Sequence, residues 1–214
     1  MNRYLSEMLN KTLLMASLLA TSSLAFGQDA EGDHVESEAR CPLCVAGGFG
    51  ASSQTERNWN LSTLYVPRSV TEAETFLWYR ADPRLQFGVA HLSKQNAIRF
   101  LLSANLVPER EKTPSVNIML GTQETTTGNP GYAMTFEKRW DKLSTYVGIG
   151  FRRTDSRARL IGGARYSFAP QYSIGIQEDG LREHLFVTHD RGDVFGGLYL
   201  YDLQLPGILF GVRF

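Results

Sequence analysis

The stretch Pro206 to Phe214, PGILFGVRF, decides how the rest of the chain is read. In an extended strand, successive side chains point to opposite faces. Ile208, Phe210, Val212 and Phe214 then share one face, and Gly207, Leu209, Gly211 and Arg213 share the other. The first face is wholly apolar and ends in an aromatic ring. The second carries glycines and a charge. Left at the edge of a sheet, such a strand would be an apolar template for pairing with other chains, whereas a closed barrel has no edge. The expectation is therefore a closed sheet that includes this strand.

Working back along the chain, the same alternation recurs in short segments separated by turn residues. In 97–106, Ile98, Phe100, Leu102, Ala104 and Leu106 oppose Arg99, Leu101, Ser103 and Asn105. In 144–152, Thr145, Val147, Ile149 and Phe151 oppose Tyr146, Gly148, Gly150 and Arg152. In 158–168, Leu160, Ala164, Tyr166 and Phe168 oppose Arg159, Ile161, Gly163, Arg165 and Ser167. Segments 115–121, 132–139 and 171–177 sort in the same way. Charges between the strand ends fall on the second face, which is rich in Gly, Ser, Arg and Tyr. A soluble sandwich would instead show an outer face rich in Lys, Glu and Thr. Small residues and Arg suit a crowded lumen, and the end aromatics Tyr132, Phe151, Phe168, Tyr172 and Phe214 suit girdles at the two edges of an apolar band. Eleven such strands are legible, and a closed antiparallel wall usually has an even number. The alternatives are twelve, with 59–66 as the extra strand, or ten, with one segment off the wall.

A terminal Phe214 with apolar Val212, Phe210 and Ile208 before it resembles the C-terminal signal by which bacterial outer-membrane β-barrels are recognised for assembly. The resemblance implies an all-β, up-and-down transmembrane barrel of 10–12 strands. It also implies contact with outer-membrane lipid and with the barrel-assembly machinery. The Phe214 end would face the periplasm, with the turns Asp82-Pro83 and Ala169-Pro170, and 122–131 would be an outward loop.

The N-terminal region fits export. Arg3 and Lys11 precede a mostly apolar run from Leu13 to Leu24, and Ala25-Phe26-Gly27 offers a cleavage site, so residues 1–27 are expected to be a signal peptide. Residues 28–56 are expected to be a disordered periplasmic tail before a barrel at 57–214: Asp29, Glu31, Asp33, Glu36 and Glu38 are followed by a Gly/Ser-rich run, with little to bury. The tail holds both cysteines, Cys41-Pro-Leu-Cys44. They would form a local disulfide or stay a reduced pair, join His34 in a metal site that lacks further ligands, or act in redox exchange without the usual βαβ setting. Val45 stands where haem attachment needs His. No cofactor is expected.

With 22 basic and 22 acidic residues, the chain lacks the basic excess of a nucleic-acid binder. The leading expectation is a narrow pore or structural envelope protein with an Arg-rich lumen formed by Arg99, Glu137, Tyr146, Arg152, Arg159, Arg165 and Arg213. An alternative is a barrel component of polysaccharide export or another binding role, since the run Asn60 to Pro67 followed by strand repeats is faintly similar to barrels that accompany exopolysaccharide secretion. An envelope hydrolase is the third class. It would need a nucleophile, base and acid converging, and His91, His184 and His189 show no such spacing; no catalytic set is expected.

Register makes the lumen specific. A two-residue turn at Asp155-Ser156 would set Arg152 opposite Arg159 and Tyr146 opposite Arg165. Turns at Trp140 to Leu143 and at Phe168 to Pro170 would extend one row through Glu137, Tyr146, Arg165 and Ser173. The expected result is a mid-lumen Glu137–Arg165 pair beside Tyr146. It also includes an unbalanced positive collar of Arg152 and Arg159 that favours small anions, unless loop acids such as Asp155 pair with them.

Overall fold

The computed structural model describes residues 57–121, 131–152 and 157–214. The expected signal peptide, the tail with Cys41 and Cys44, residues 122–130 of the loop and Asp155-Ser156 lie outside the described residues.

The described chain forms twelve strands: β1 Trp59–Tyr65, β2 Ala73–Asp82, β3 Leu85–Leu92, β4 Ala97–Val107, β5 Ser115–Gly121, β6 Tyr132–Trp140, β7 Leu143–Phe151, β8 Arg159–Ala169, β9 Tyr172–Glu178, β10 Glu183–Asp190, β11 Val194–Tyr201 and β12 Leu205–Arg213. Each pairs antiparallel with its neighbours in sequence, and β1 pairs with β12 to close the barrel. Twelve rather than ten is therefore the strand number, with the 59–66 segment as β1. Closure is completed just past β12, where the backbones of Trp59 and Phe214 exchange N–H···O bonds of 3.0 Å each way. The Phe214 ring stacks on Trp59 with centroids 6.5 Å apart.

The two expected faces are the two sides of the wall. Ile98, Phe100, Tyr132, Phe168, Leu198, Ile208 and Phe210 point outward and are exposed, while Arg99, Leu101, Ala133, Leu209 and Arg213 point inward and are buried. Exposed aromatics stand at both ends of the outer face: Tyr132 faces Phe151 at the end away from Phe214, and Phe168 stacks with Tyr172 at 6.0 Å on the Phe214 end. The turns after Asp82 and Ala169 lie at the Phe214 end, as expected. The three register shifts, between Arg80 and Asp82, Asn105 and Val107, and Ser167 and Ala169, all fall at that same end. Bulges at a barrel rim locally tighten the twist of the strand that carries them.

Two details of register differ from expectation. Glu137 does face Tyr146. However, Arg165 faces Ser144, Tyr146 faces Gly163 and Arg159 faces Gly150. The difference lies across the β7–β8 connection, where β7 ends at Phe151 and β8 begins at Arg159, and the turn expected at Asp155-Ser156 lies outside the described residues. The pairing slides by two residues, which preserves which face each side chain takes. Beyond β8, the bulge and a tighter turn bring Ser173 opposite Ser167 and leave Arg165 opposite Gly175. The row through Glu137 therefore reads Glu137, Tyr146, Gly163, Gln177.

Inward aromatics are paired with inward glycines directly across the strand. Trp78 faces Gly88, Tyr146 faces Gly163, Phe186 faces Gly175 and Phe195 faces Gly211. In each pair, a side-chain carbon on the glycine would collide with the ring; at Gly88 it would lie 2.6 Å from Trp78 Cε3. The glycines thus let large rings lie against the inner wall.

Gly88→Ala should destabilise the refolded barrel by about 1–3 kcal/mol, the usual cost of overpacking. Because the collision at this position is with the Trp78 ring, the same substitution in a Trp78→Ala background should cost under about 0.5 kcal/mol, the limit for independent sites. Urea unfolding in vesicles measures the cycle, and equal costs in both backgrounds would contradict the pairing.

Candidate functional site: the lumen and its two charged layers

Inward side chains sort by height along the strands. An apolar layer fills the middle: Phe76, Trp78, Leu101, Met119, Phe186, Tyr199 and Leu209 belong to one buried cluster drawn from all round the wall, with half-buried Tyr146 packed against it. Charged residues lie on both sides of it. Near the end away from Phe214 stand Glu74, Arg99, Arg152, Arg159, Asp179 and His184. Near the Phe214 end stand Glu137, Arg139, Arg165, Asp190 and Arg213.

The upper layer is built on the β9–β10 turn, residues 179–182. The Asp179 carboxylate accepts the backbone N–H groups of Leu181 and Arg182 at 2.8 and 2.9 Å. Its other oxygen lies 3.2 Å from His184 Nε2. His184 Nδ1 accepts the Asp202 backbone N–H at 3.3 Å, so the ring proton belongs on Nε2 and is donated to Asp179. The ring is held between Tyr199 and Tyr201, with centroids 5.3 and 4.9 Å away. Arg152 donates to the Asp179 carbonyl at 3.0 Å and lies 3.6 Å from its carboxylate. Arg159 donates to the Gly180 carbonyl at 3.3 Å. Three side chains from β8, β10 and the end of β7 therefore hold this turn to the mouth. Burial alone would push the Asp179 carboxyl up. The hydrogen bond from His184, with the two backbone N–H groups, outweighs it and holds the carboxyl below the ordinary carboxylate range.

The lower layer centres on Arg213. Its guanidinium makes two parallel bonds to Asp190, Nη1 to Oδ1 at 3.0 Å and Nη2 to Oδ2 at 2.9 Å. It also donates to the Gly192 carbonyl and lies 4.5 Å from the Phe195 ring centre. This fork ties β12 to β10 across β11. Beside it, Glu137 accepts from the Ser144 hydroxyl at 3.3 Å and lies 3.6 Å from Arg139. Arg165 is within electrostatic reach of both Glu137 and Asp190.

All seven expected lumen residues face inward, but they do not form one site. Arg99, Arg152 and Arg159 belong to the upper layer and Glu137, Arg165 and Arg213 to the lower, while Tyr146 lies on Gly163 between them. The expected collar is corrected. Arg152 and Arg159 are not opposite one another, and the Asp179–Gly180 turn engages both; the loop acid Asp155 lies outside the described residues. Glu137 and Arg165 fall in the lower layer rather than at mid-lumen and one row apart, with Tyr146 within electrostatic reach of Arg165.

Asp179, His184, Asp190 and Glu74 were missed. Parity alone would have found all four, Glu74 sharing the face of Phe76 and Trp78. His184 and Asp190 share the face of Phe186 and Thr188, and Asp179 continues the face of Gly175 and Gln177.

Both His184 nitrogens are engaged, so the ring has no free acceptor for a substrate proton. His91 points outward, and His189 lies 3.3 Å from Gln171 with its ring stacked on Tyr172 at 4.5 Å. Among the described residues, no group of three or more His, Cys, Asp or Glu could hold a metal ion.

Arg213→Ala should destabilise the barrel by about 3–5 kcal/mol, as loss of one partner strands the buried Asp190 charge. Adding Asp190→Asn should recover part of the loss in the same unfolding assay. A second expectation concerns acid. A carboxyl held low in the folded state adds stability above the unfolded pKa of about 4, and that stability is lost as pH falls through the lower folded value. Unfolding free energy should therefore drop below about pH 4, and Asp179→Asn should flatten that drop while lowering stability at neutral pH. An unchanged acid limb would contradict the Asp179 account.

No protein-family model matches this chain, and no curated protein matches it in sequence.

Proposed function

We propose that the chain is an integral outer-membrane β-barrel that its own side chains keep closed at rest, serving the envelope as a structural wall protein rather than as an open diffusion pore. The observation that carries this reading is the buried apolar layer between two charged layers, inside a closed wall whose outer face is apolar. The outer face calls for a hydrocarbon surrounding, since open water would meet a continuous band of exposed Phe, Ile, Leu and Val. The inner layer opposes conduction. An ion crossing it would shed much of its hydration among Trp78, Leu101, Met119 and Phe186, with only scattered hydroxyls and amides such as Ser103 beside them. The terminal Phe214 supports assembly in two roles: its backbone bonds close the wall on Trp59, and its ring completes the apolar face.

The protein should co-fractionate with the outer membrane and change gel mobility on boiling. Phe214→Ala keeps the closing backbone bonds and removes the ring. It should sharply lower assembled protein in cells while refolding normally into vesicles in vitro; equal levels in cells would reject the assembly-signal role. In planar bilayers the refolded wild-type chain should be silent, and Trp78→Ala with Phe186→Ala should produce channel events. Steady conductance in the wild type would overturn the closed reading.

A further inference from the structure

The outer wall of β1 to β6 is not evenly ridged. Successive cross-strand pairs set Trp59, Tyr79, Phe87, Leu102, Leu120 and Tyr132 in one outward row. The next outward row runs through Leu77 and Val89 to Phe100. Between the two rows lies a furrow of about 960 Å³, floored by the backbone at Gly88, Leu101 and Gly121. Rings stand high at both ends, and the shorter Leu102, Leu120 and Val89 leave the middle low. Because barrel strands tilt by about 35–45°, a row of cross-strand neighbours climbs obliquely across the apolar band. The furrow thus runs from the Phe214 end toward the opposite rim.

We propose that this furrow is a specific seat for one glycerophospholipid, its acyl chains lying between the two rows and its phosphate at the Phe214 end. This rests on the outer-membrane reading above. The side chains lining the furrow carry no formal charge, so its occupant must be apolar along its length. The wall is convex, so a second barrel would touch it along a narrow line and leave a recessed channel unfilled, whereas flexible acyl chains follow it. The lower end supplies charge complementarity. The β2–β3 turn, which joins the strands of Tyr79 and Phe87, carries the exposed guanidinium of Arg84. The neighbouring Asp82 carboxylate is turned back onto the Arg84 backbone N–H at 2.8 Å. Arg57, just before β1, is bonded to Asp193 at 3.3 Å, and Arg80 donates to the Arg57 carbonyl at 2.9 Å. Among the described residues of the β2–β3 turn, Arg84 is therefore a cation placed to take a lipid phosphate.

Native mass spectrometry of the mature chain, released from micelles doped with dioleoyl phosphatidylglycerol, tests the seat. One lipid should remain bound per barrel. Leu102→Trp with Leu120→Trp fills the furrow and should cut retention at least tenfold. Arg84→Glu should cut it about fivefold, the effect of one basic residue on an anionic headgroup. Val187→Trp, on the outer face of β10, should leave it unchanged. Equal retention in the filled variant would overturn the proposal, as would a lipid-free dimer that the filled variant disrupts, since the occupant would then be a second copy. Should the filled variant lack the heat-shifted band of a folded barrel, an alkyl-diazirine phospholipid reads the wild type directly: label concentrated on β2 to β5 supports the seat, and label spread evenly round the wall rejects it. A barrel found outside the outer membrane that still retains one lipid would fail the localisation reading and keep this one.

Discussion

The pairing of β1 with β12 is the constraint on which the rest of the molecule depends. Once Trp59 and Phe214 exchange backbone bonds, the sheet has no edge. Every residue of every strand must then face either the enclosed interior or the surroundings. Side-chain parity stops being a local preference and becomes a property of the whole wall, because a slip of one residue anywhere would turn a full strand inside out. That explains why Arg213 and Phe214, adjacent in sequence, do opposite work. Arg213 is buried against Asp190 and Phe195, and Phe214 lies outside on Trp59.

Closure also fixes how the interior is filled. Twelve strands enclose more space than ordinary side chains fill, and the sequence answers with rings laid over glycines. Trp78, Tyr146, Phe186 and Phe195 each need a partner without a side chain directly across the strand. The polar groups are then pushed to the two ends. There, carbonyls of the turns accept from Arg152, Arg159 and Arg213, and the carboxylates of Asp179, Glu137 and Asp190 meet basic partners. A buried charge without such a partner would cost several kcal/mol, so the layering follows from energetics as much as from topology.

Much of the fold was legible in the sequence because parity is a robust signal. The outward face of Ile98, Phe100, Ile208 and Phe210 and the inward face of Arg99, Arg152, Arg165 and Arg213 could be read from alternation alone. Register was legible only where a turn length was evident, as at Asp141-Lys142, which sets Glu137 against Tyr146. It failed between β7 and β8 and between β8 and β9, because each pairing is shifted by two residues, which keeps every side chain on its face and leaves the alternation unchanged. The charge pattern of the lumen failed for a related reason. The alternation of its own hairpin offers Arg152 only Arg159 and loop acids such as Asp155, whereas Asp179 lies on the next hairpin and reaches it through a turn. The apolar middle layer was also hidden, because Leu101, Met119, Phe186 and Leu209 are scattered over distant strands and meet only once the wall has closed.

The two-faced wall is tested most directly by spin-label accessibility along β12. In a Cys41→Ser, Cys44→Ser background, single cysteines are placed in turn at Ile208, Leu209, Phe210, Gly211 and Val212, and the labelled chain is refolded into lipid vesicles. The account predicts a period of two: labels at 208, 210 and 212 relaxed by oxygen dissolved in the lipid, and labels at 209 and 211 shielded from both oxygen and a water-soluble nickel chelate. The opposite phase, with 208, 210 and 212 open to the nickel chelate, would place the apolar face in water and contradict the barrel's assignment to the membrane.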